Sequence, residues 1–572
     1  MSAGLAGEKY AVSREAFRGL ATSLGFQVQP QDEAGYLDLL RAAIADIEMV
    51  QAMPPYQHPI LRTTHGAGER TSIQPLPSEN PLNGWSHRKF TQTTIRPLAE
   101  GLLSGKTIAV KDNVSIAGVP MTGGTAPFHL SKDTPYPISG FDAPVITRVL
   151  EAGGTITGTS TCENYCMSAL SFSSATGPVD NPWLKGYETG GSSSGSAALV
   201  GVNSVKRQRQ RDGMPYEDLG EGVDLAIGGD QGGSIRMPAA YSGIYGLKPT
   251  HGLVPYTGIS PLHPMIDHCG PMAGSIRDTA LLLTVLAGWD GLDPRMTPET
   301  PLRQHVKSYH EHLDEAIEQR KASGQWNPTS AATGLRIGLV KEGWAAPQLS
   351  EEVAAVVKQA GQRFAALGAK VDEVSIPMHA MGSAIFTAVE KPEWVDVFIY
   401  GKAPDCLSWP MQHVAPTKPD AQWYETMNKS APTVVSTLVT GEFLKRNKDI
   451  FATGAREKAI THVHELRAAY DEALVDFDVL ITPCNPTVGM RHLGPELSVV
   501  EKNELALGST WNTCPFNITG HPGLVIPVGW GKTEDGQGRL PVGMQMVGRR
   551  WDEVTLFLAA EAWEVGGLGL DG

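Results

Sequence analysis

A chain of 572 residues, 41% hydrophobic and 19% charged, is long enough for one large core or two to four ordinary domains, and nothing in its composition suggests long disordered tails. A net charge of −14 argues against a nucleic-acid surface as its main business. Its 63 glycines imply many tight turns and close backbone approaches.

The opening MSAGLAGEKY has no apolar signal core, and the longest apolar run, TALLLTVLAG at 279–288, is too short to cross a bilayer. With sparse, scattered cysteines this gives a cytoplasmic expectation. Ser13 is placed to cap a helix whose Phe17, Leu20 and Leu24 share a face, with Gly25 as its stop. Tyr36, Leu40, Ile44 and Ile47 form a second helical stripe. A Pro-, Gly-, Ser- and His-rich connector runs from Pro54 to about Pro97. Residues 1–100 therefore read as a small helical N-terminal segment and its connection, and 101–572 as the main body.

From about residue 101 strands and helices alternate. KTIAVKDNV reads as strand, SGFDAPVITRVLEAG as helix and TITGTST as strand. LRIGLV (335–340), the helix 350–368, KVDEVSIP, DFDVLITP and GLVIPVG continue the pattern. Such units imply an α/β layered sheet. The polar stretch 291–334 is a candidate separation between two lobes. Cys162 and Cys166 are one helical turn apart, but no second Cys/His pair stands near at ligand spacing, so they read as a buried reduced pair rather than a metal or redox site.

Three segments carry candidate chemistry. Lys111 ends the apolar run Thr107–Val110, where burial disfavours its charged form; a lysine held neutral accepts a proton. Alone, such a lysine more often snorkels to water. TGGSSSGSAA at 189–198 is a small-residue loop leading into a close-packed helix. It lacks the Gly-Lys-Ser/Thr of a phosphate loop. Its Gly191-x-Ser193-x-Gly195 pattern matches the letters of a nucleophile elbow, but the stretch before it reads as loop where an elbow needs a strand. In AIGGDQGGSIRMP, a glycine run ending on Ser234 lets successive N–H groups converge on one point, as an oxyanion requires. Asp230 and Arg236 flank that run and are placed to pair across it.

Lys111, Ser192 and Ser234, in that order and in these contexts, resemble the amidase signature family. NPW at 181–183, AAYSGIYGLKPTHGLVPYTG, GHPGLVIPVG and LPVGMQMVG extend the resemblance over most of the chain from about Leu103. Gly-Gly-Asp-Gln-Gly-Gly-Ser is similar to the branch that hydrolyses small amides beside nitrile hydratases. The resemblance implies a large mixed central sheet with helices on both faces. It makes Ser234 the nucleophile, Ser192 the proton relay behind a cis Gly191–Ser192 bond, and Lys111 the base. The N–H groups of Gln231, Gly232, Gly233 and Ser234 form the oxyanion hole, with Gly191, Asp230 and Arg236 as support. The implied reaction cleaves small monocarboxylic amides through an acyl-enzyme, with no cofactor and no metal, in a homodimer with no nucleic-acid or membrane partner. His251, His263 and His268 take structural or surface roles.

Carbamates, anilides or esters are alternative substrates for the same triad. A glutamine-dependent amidotransferase subunit is another reading, which the charge and Gln231 disfavour, and a non-catalytic scaffold is opposed by the intact Lys111, Ser192 and Ser234. Tyr165, Met167 and the 259–268 loop are expected near the pocket. VKRQRQRDGMPYEDLGEG, at 205–222, departs from the family pattern and reads as a solvated surface loop.

Overall fold

The structure, a computed structural model, describes residues 12–61, 70, 72–88, 100–131, 135–215, 217–402, 408–409, 416–447 and 454–565. Its contacts divide the chain into two compact units, one ending at Ile60 and the other beginning at Leu61.

In the first unit the Ser13 hydroxyl accepts from the Ala16 N–H and opens the helix Arg14–Ser23, and Gly25 (φ +85°) lies just past its end. Arg18 spans to the second helix, Glu33–Gln51, with its Nε 2.6 Å from the Glu33 carboxylate. The predicted stripes are not the buried faces. Leu20, Leu24, Tyr36 and Ile47 are exposed, whereas Ala21, Glu33 and Leu37 are buried. Periodicity located the helices, but two helices meeting along a narrow seam leave most of each stripe uncovered.

The second unit is organised by an eleven-stranded sheet among the described residues. Its strands are β1 (Trp85–His87), β2 (Thr107–Lys111), β3 (Thr155–Ser160), β4 (Leu225–Asp230), β5 (Tyr245–Lys248), β6 (His268–Ala273), β7 (Arg336–Val340), β8 (Lys370–Val374), β9 (Val479–Pro483), β10 (Gly523–Lys532) and β11 (Arg539–Val547). They lie in the order β1-β3-β2-β4-β6-β5-β10-β11-β9-β7-β8. β3, β2 and β4 run parallel, as do β9, β7 and β8, and the strands between pair antiparallel. The sheet is thus mixed, as the family resemblance implied.

Alternation along the strands shows that both faces are covered. Ile108 and Val110, Leu225 and Ile227, Leu524 and Ile526, and Met544 and Met546 all enter one large cluster with the helices Pro144–Glu151, Ile276–Leu286, Glu351–Ala366 and Glu553–Glu564. Their neighbours Ala109, Ala226 and Val525 point the other way, against the helices Ser194–Arg211 and Arg236–Ser242. Farther along, Leu480 and Val340 meet the helices Gly382–Trp394 and Ala455–Asp476 on that same side.

Two expectations need correction. The stretch 291–334 does not separate lobes: it carries the helix Tyr309–Ala322, whose Tyr309 and Leu313 are buried in the main cluster. The beginning of the 205–222 segment is not loop either, because the helix from Ser194 runs on to Arg211. Arg209 and Arg211 occupy its last turn, where cations suit the carbonyl end of the helix. Among the described residues no helix is long and apolar enough to cross a membrane.

Candidate active site

Because β2 and β4 are parallel neighbours, their carboxyl ends open on the same edge of the sheet, where α/β folds commonly bind ligands. Lys111 ends β2, and Asp230 ends β4 just before the turn Gln231–Ser234. The helix Ser194–Arg211 begins beside them. Its first turn packs so closely that a Cβ on Gly195 would meet the Gly84 carbonyl oxygen at 2.2 Å.

Lys111 and Ser192 are both fully buried, with Lys111 Nζ 2.8 Å from Ser192 Oγ and 3.5 Å from the Gly229 carbonyl. The Gly191–Ser192 bond is cis. The next N–H, of Ser193, donates to the Ser234 carbonyl at 3.3 Å, tying the two serine segments together. Ser234 is half-buried and lines a cleft with Gln231, Gly232 and Gly233. Ser193, the elbow alternative, is fully buried, donates to the Gly229 carbonyl at 3.1 Å and does not line the cleft. Of the residues expected around the pocket, Met167 and Leu262 line it; Tyr165 is buried in the core.

The glycine turn is held by an ion pair with no exposed surface. Arg236 Nε and Nη2 lie 3.0 and 2.9 Å from the Asp230 carboxylate, and Arg236 also donates to Thr513 O, Gln545 Oε1 and Asn517 Oδ1. Burial alone would push Asp230 up, but the charge and hydrogen bonds of Arg236, with Asn517 and Lys248, hold it below the usual carboxylate range. The N–H of Gly233, expected at the oxyanion, instead donates to Asp230 Oδ1 at 2.8 Å. Gly233 sits at φ +138°, and a Cβ there would come 2.5 Å from Thr513 Oγ1, so only glycine fits.

Two further carboxyls brace the site. Asp112, beside the lysine, accepts from Ser86 and from the hydroxyl and N–H of Thr122, and burial pushes it up to about 7. Glu163 accepts from the Ser173 N–H and hydroxyl and the Ser194 hydroxyl, and burial raises it likewise to about 7. Their partners lie in other segments, so spacing along the chain did not mark them. Cys162 and Cys166 meet beside Lys111, and Cys166 lines the cleft. Their mutual hydrogen bond lowers Cys166 and raises Cys162, and Lys111 further favours the Cys166 thiolate. Among the described residues no group of three or more His, Cys, Asp or Glu side chains is arranged to hold a metal ion.

The profile of the Amidase family matches residues 89–207 and 220–557, leaving out most of the 205–222 segment. An enantioselective amidase from Rhodococcus rhodochrous is 34% identical over 510 residues, covering 88% of this chain and 87% of that protein. Among solved structures, the A subunit of the glutamyl-tRNA(Gln) amidotransferase from Thermotoga maritima superposes with a TM-score of 0.62 at 22% identity, covering 87% of this chain and 91% of that one. The peptide amidase from Stenotrophomonas maltophilia gives 0.56 at 23%, covering 81% and 83%. At these identities the two structures bear on the fold.

Proposed function

Because the chain belongs to the amidase signature family, we propose that it hydrolyses the carbon–nitrogen bond of small monocarboxylic amides, using Ser234, Ser192 and Lys111. The observation that carries this reading is the buried 2.8 Å contact between Lys111 Nζ and Ser192 Oγ, next to the Ser193 N–H that holds the carbonyl of the cleft-lining Ser234.

Lys111, as the base, takes the proton of Ser192 as Ser192 takes that of Ser234, and Ser234 Oγ bonds to the amide carbon. The N–H groups of Gln231, Gly232 and Ser234 stabilise the developing oxyanion, while Gly233 gives its own to Asp230 and fixes the turn. The relay run backwards protonates the leaving nitrogen and the carbon–nitrogen bond breaks. Water then attacks the acyl-enzyme, returning the acid and the free serine. The scheme calls for neither metal nor cofactor.

On the same reading the protein is a cytoplasmic homodimer whose catalytic body spans 101–572 and takes in the edge strand β1, with the helices before Ile60 as an N-terminal extension. Exposed apolar side chains on the N-terminal helices, Leu24, Leu39 and Val50 among them, support self-association. The −14 charge supports the absence of a nucleic-acid partner.

Ammonia release from a panel of small aliphatic and aryl amides tests the reading. Wild type releases ammonia and acid together, and Ser234→Ala loses on the order of 10³-fold or more while staying folded. Substantial turnover by folded Ser234→Ala overturns the assignment.

A further inference from the structure

The cleft beside Ser234 is walled largely by apolar side chains, Met167, Met237, Leu262, Phe386 and Leu507. The helix Gly382–Trp394 contributes positions 383, 386, 387, 390 and 391 to that wall, the spacing of one helical face. On this face sits Glu390, only 3% exposed. The other buried carboxyls are braced: Asp112 and Glu163 accept the bonds described above, and Glu553 accepts from the N–H and hydroxyl of Thr250. Among the described residues nothing donates a hydrogen bond to Glu390, and the charge that acts on it is that of Lys391, beyond ion-pair distance.

A second unpartnered polar atom shares the cleft. Thr437, on the helix Pro432–Arg446, is fully buried and lines the same cavity, and its hydroxyl has no hydrogen-bond partner among the described residues. The two helices approach so closely that a Cβ on Gly441, one turn beyond Thr437, would lie 2.9 Å from the Lys391 carbonyl oxygen. The helix pair thus presents a carboxyl and a hydroxyl, neither with a hydrogen-bond partner among the described residues, to a cleft whose wall also carries Lys391, Ser383 and Thr387. Burial pushes Glu390 up to about 7, and the Lys391 ammonium on the same cleft wall counters this from beyond ion-pair distance without donating a hydrogen bond, so the carboxyl lacks a bonded partner.

We propose that Glu390 is a specificity determinant that selects amides carrying a protonated amine, the ammonium pairing with Glu390 and sharing a hydrogen bond with Thr437 while Ser234 faces the carboxamide. This rests on the amide-hydrolase reading and narrows its substrate class to amino-substituted amides. The ammonium supplies the charged hydrogen-bond donor that no described residue gives Glu390, and the apolar side chains of the wall cover the hydrocarbon portion. An alkyl amide without the amine leaves Glu390 buried and unpaired.

The test compares phenylalaninamide with 3-phenylpropanamide, the same skeleton without the amine, on wild type and on the isosteric Glu390→Gln. Wild type prefers the amino amide in kcat/KM by at least about 10-fold, and Glu390→Gln cuts that preference about 10- to 100-fold, the range of a charge-assisted hydrogen bond. Phenethylamine, which has no amide, binds wild type and loses about 10-fold in affinity in the variant, whatever the turnover. Hydrolysis of both amides with no preference, or a preference that Glu390→Gln leaves in place, overturns the proposal. An amine that binds through Glu390 with neither amide cleaved instead overturns the amide-hydrolase reading and leaves the amine subsite standing.

Discussion

Asp230→Asn is the sharpest probe of how the glycine turn is held. The change keeps the shape of the side chain but removes its charge and turns one acceptor oxygen into a donor. Oδ1 now accepts from Gly233 N, Arg236 Nη2 and Asn517 Nδ2, and Oδ2 from Ile235 N and Arg236 Nε. Whichever way the amide is turned, its NH₂ faces donors. Breaking a buried pair by removing one partner costs about 3–5 kcal/mol, because the remaining charge is left uncompensated. Asp230 is held below the usual carboxylate range, so its contribution is complete above its unfolded value of roughly 3.9 and is lost only as pH falls through the folded value. From pH 5 to 8 the gap between variant and wild type should therefore stay constant. Urea unfolding at those pH values measures it, with an unchanged slope. The same change frees the Gly233 N–H and loosens the neighbouring donors, so kcat/KM should fall by about 10²-fold, the scale of losing one fixed oxyanion donor. A variant less than about 1 kcal/mol weaker, with normal kcat/KM, would refute the clamp.

Lys111→Arg places a guanidinium beside Ser192 that cannot release its proton in the working range, so it should be as impaired as Lys111→Ala, on the order of 10³-fold; a Lys111→Arg enzyme retaining a tenth of wild-type kcat/KM contradicts a proton-accepting lysine. Cys166, lowered by its hydrogen bond with Cys162 and by Lys111, should alkylate with iodoacetamide at a rate that rises with pH to a midpoint below the roughly 8.5 of a free thiol, since the thiolate is the nucleophile. Mass spectrometry locates the label; a midpoint at or above 8.5 counts against that environment.

Most of the site was legible because its residues carry unusual local signatures. A lysine closing an apolar strand, a serine loop and a glycine run ending on serine each stand out, and the fold brings their chain-distant positions to one edge. The strands β2, β3, β7, β8, β9 and β10 were legible too. β4, β5 and β6 were not, because LAIGGD, YGLK and HCGPMA are short, glycine-bearing and almost wholly buried, which erases alternation. The partners of Arg236 at 513, 517 and 545 lie far along the chain, and no spacing rule reaches that far. Glu390 was hidden for the opposite reason: in a charged run such as EKPEW an acid reads as helix surface, and only the packing of the facing helix buries it.

The central claim, that Ser234 attacks the amide carbon, is tested most directly by locating a covalent adduct. The protein is reacted with a fluorophosphonate and digested, and the modified residue is read by tandem mass spectrometry. The account predicts one adduct, on Ser234, absent from Ser234→Ala and much slower to form in Lys111→Ala. An adduct on Ser193 or Ser192, or no labelling of an enzyme that turns over amides, contradicts it.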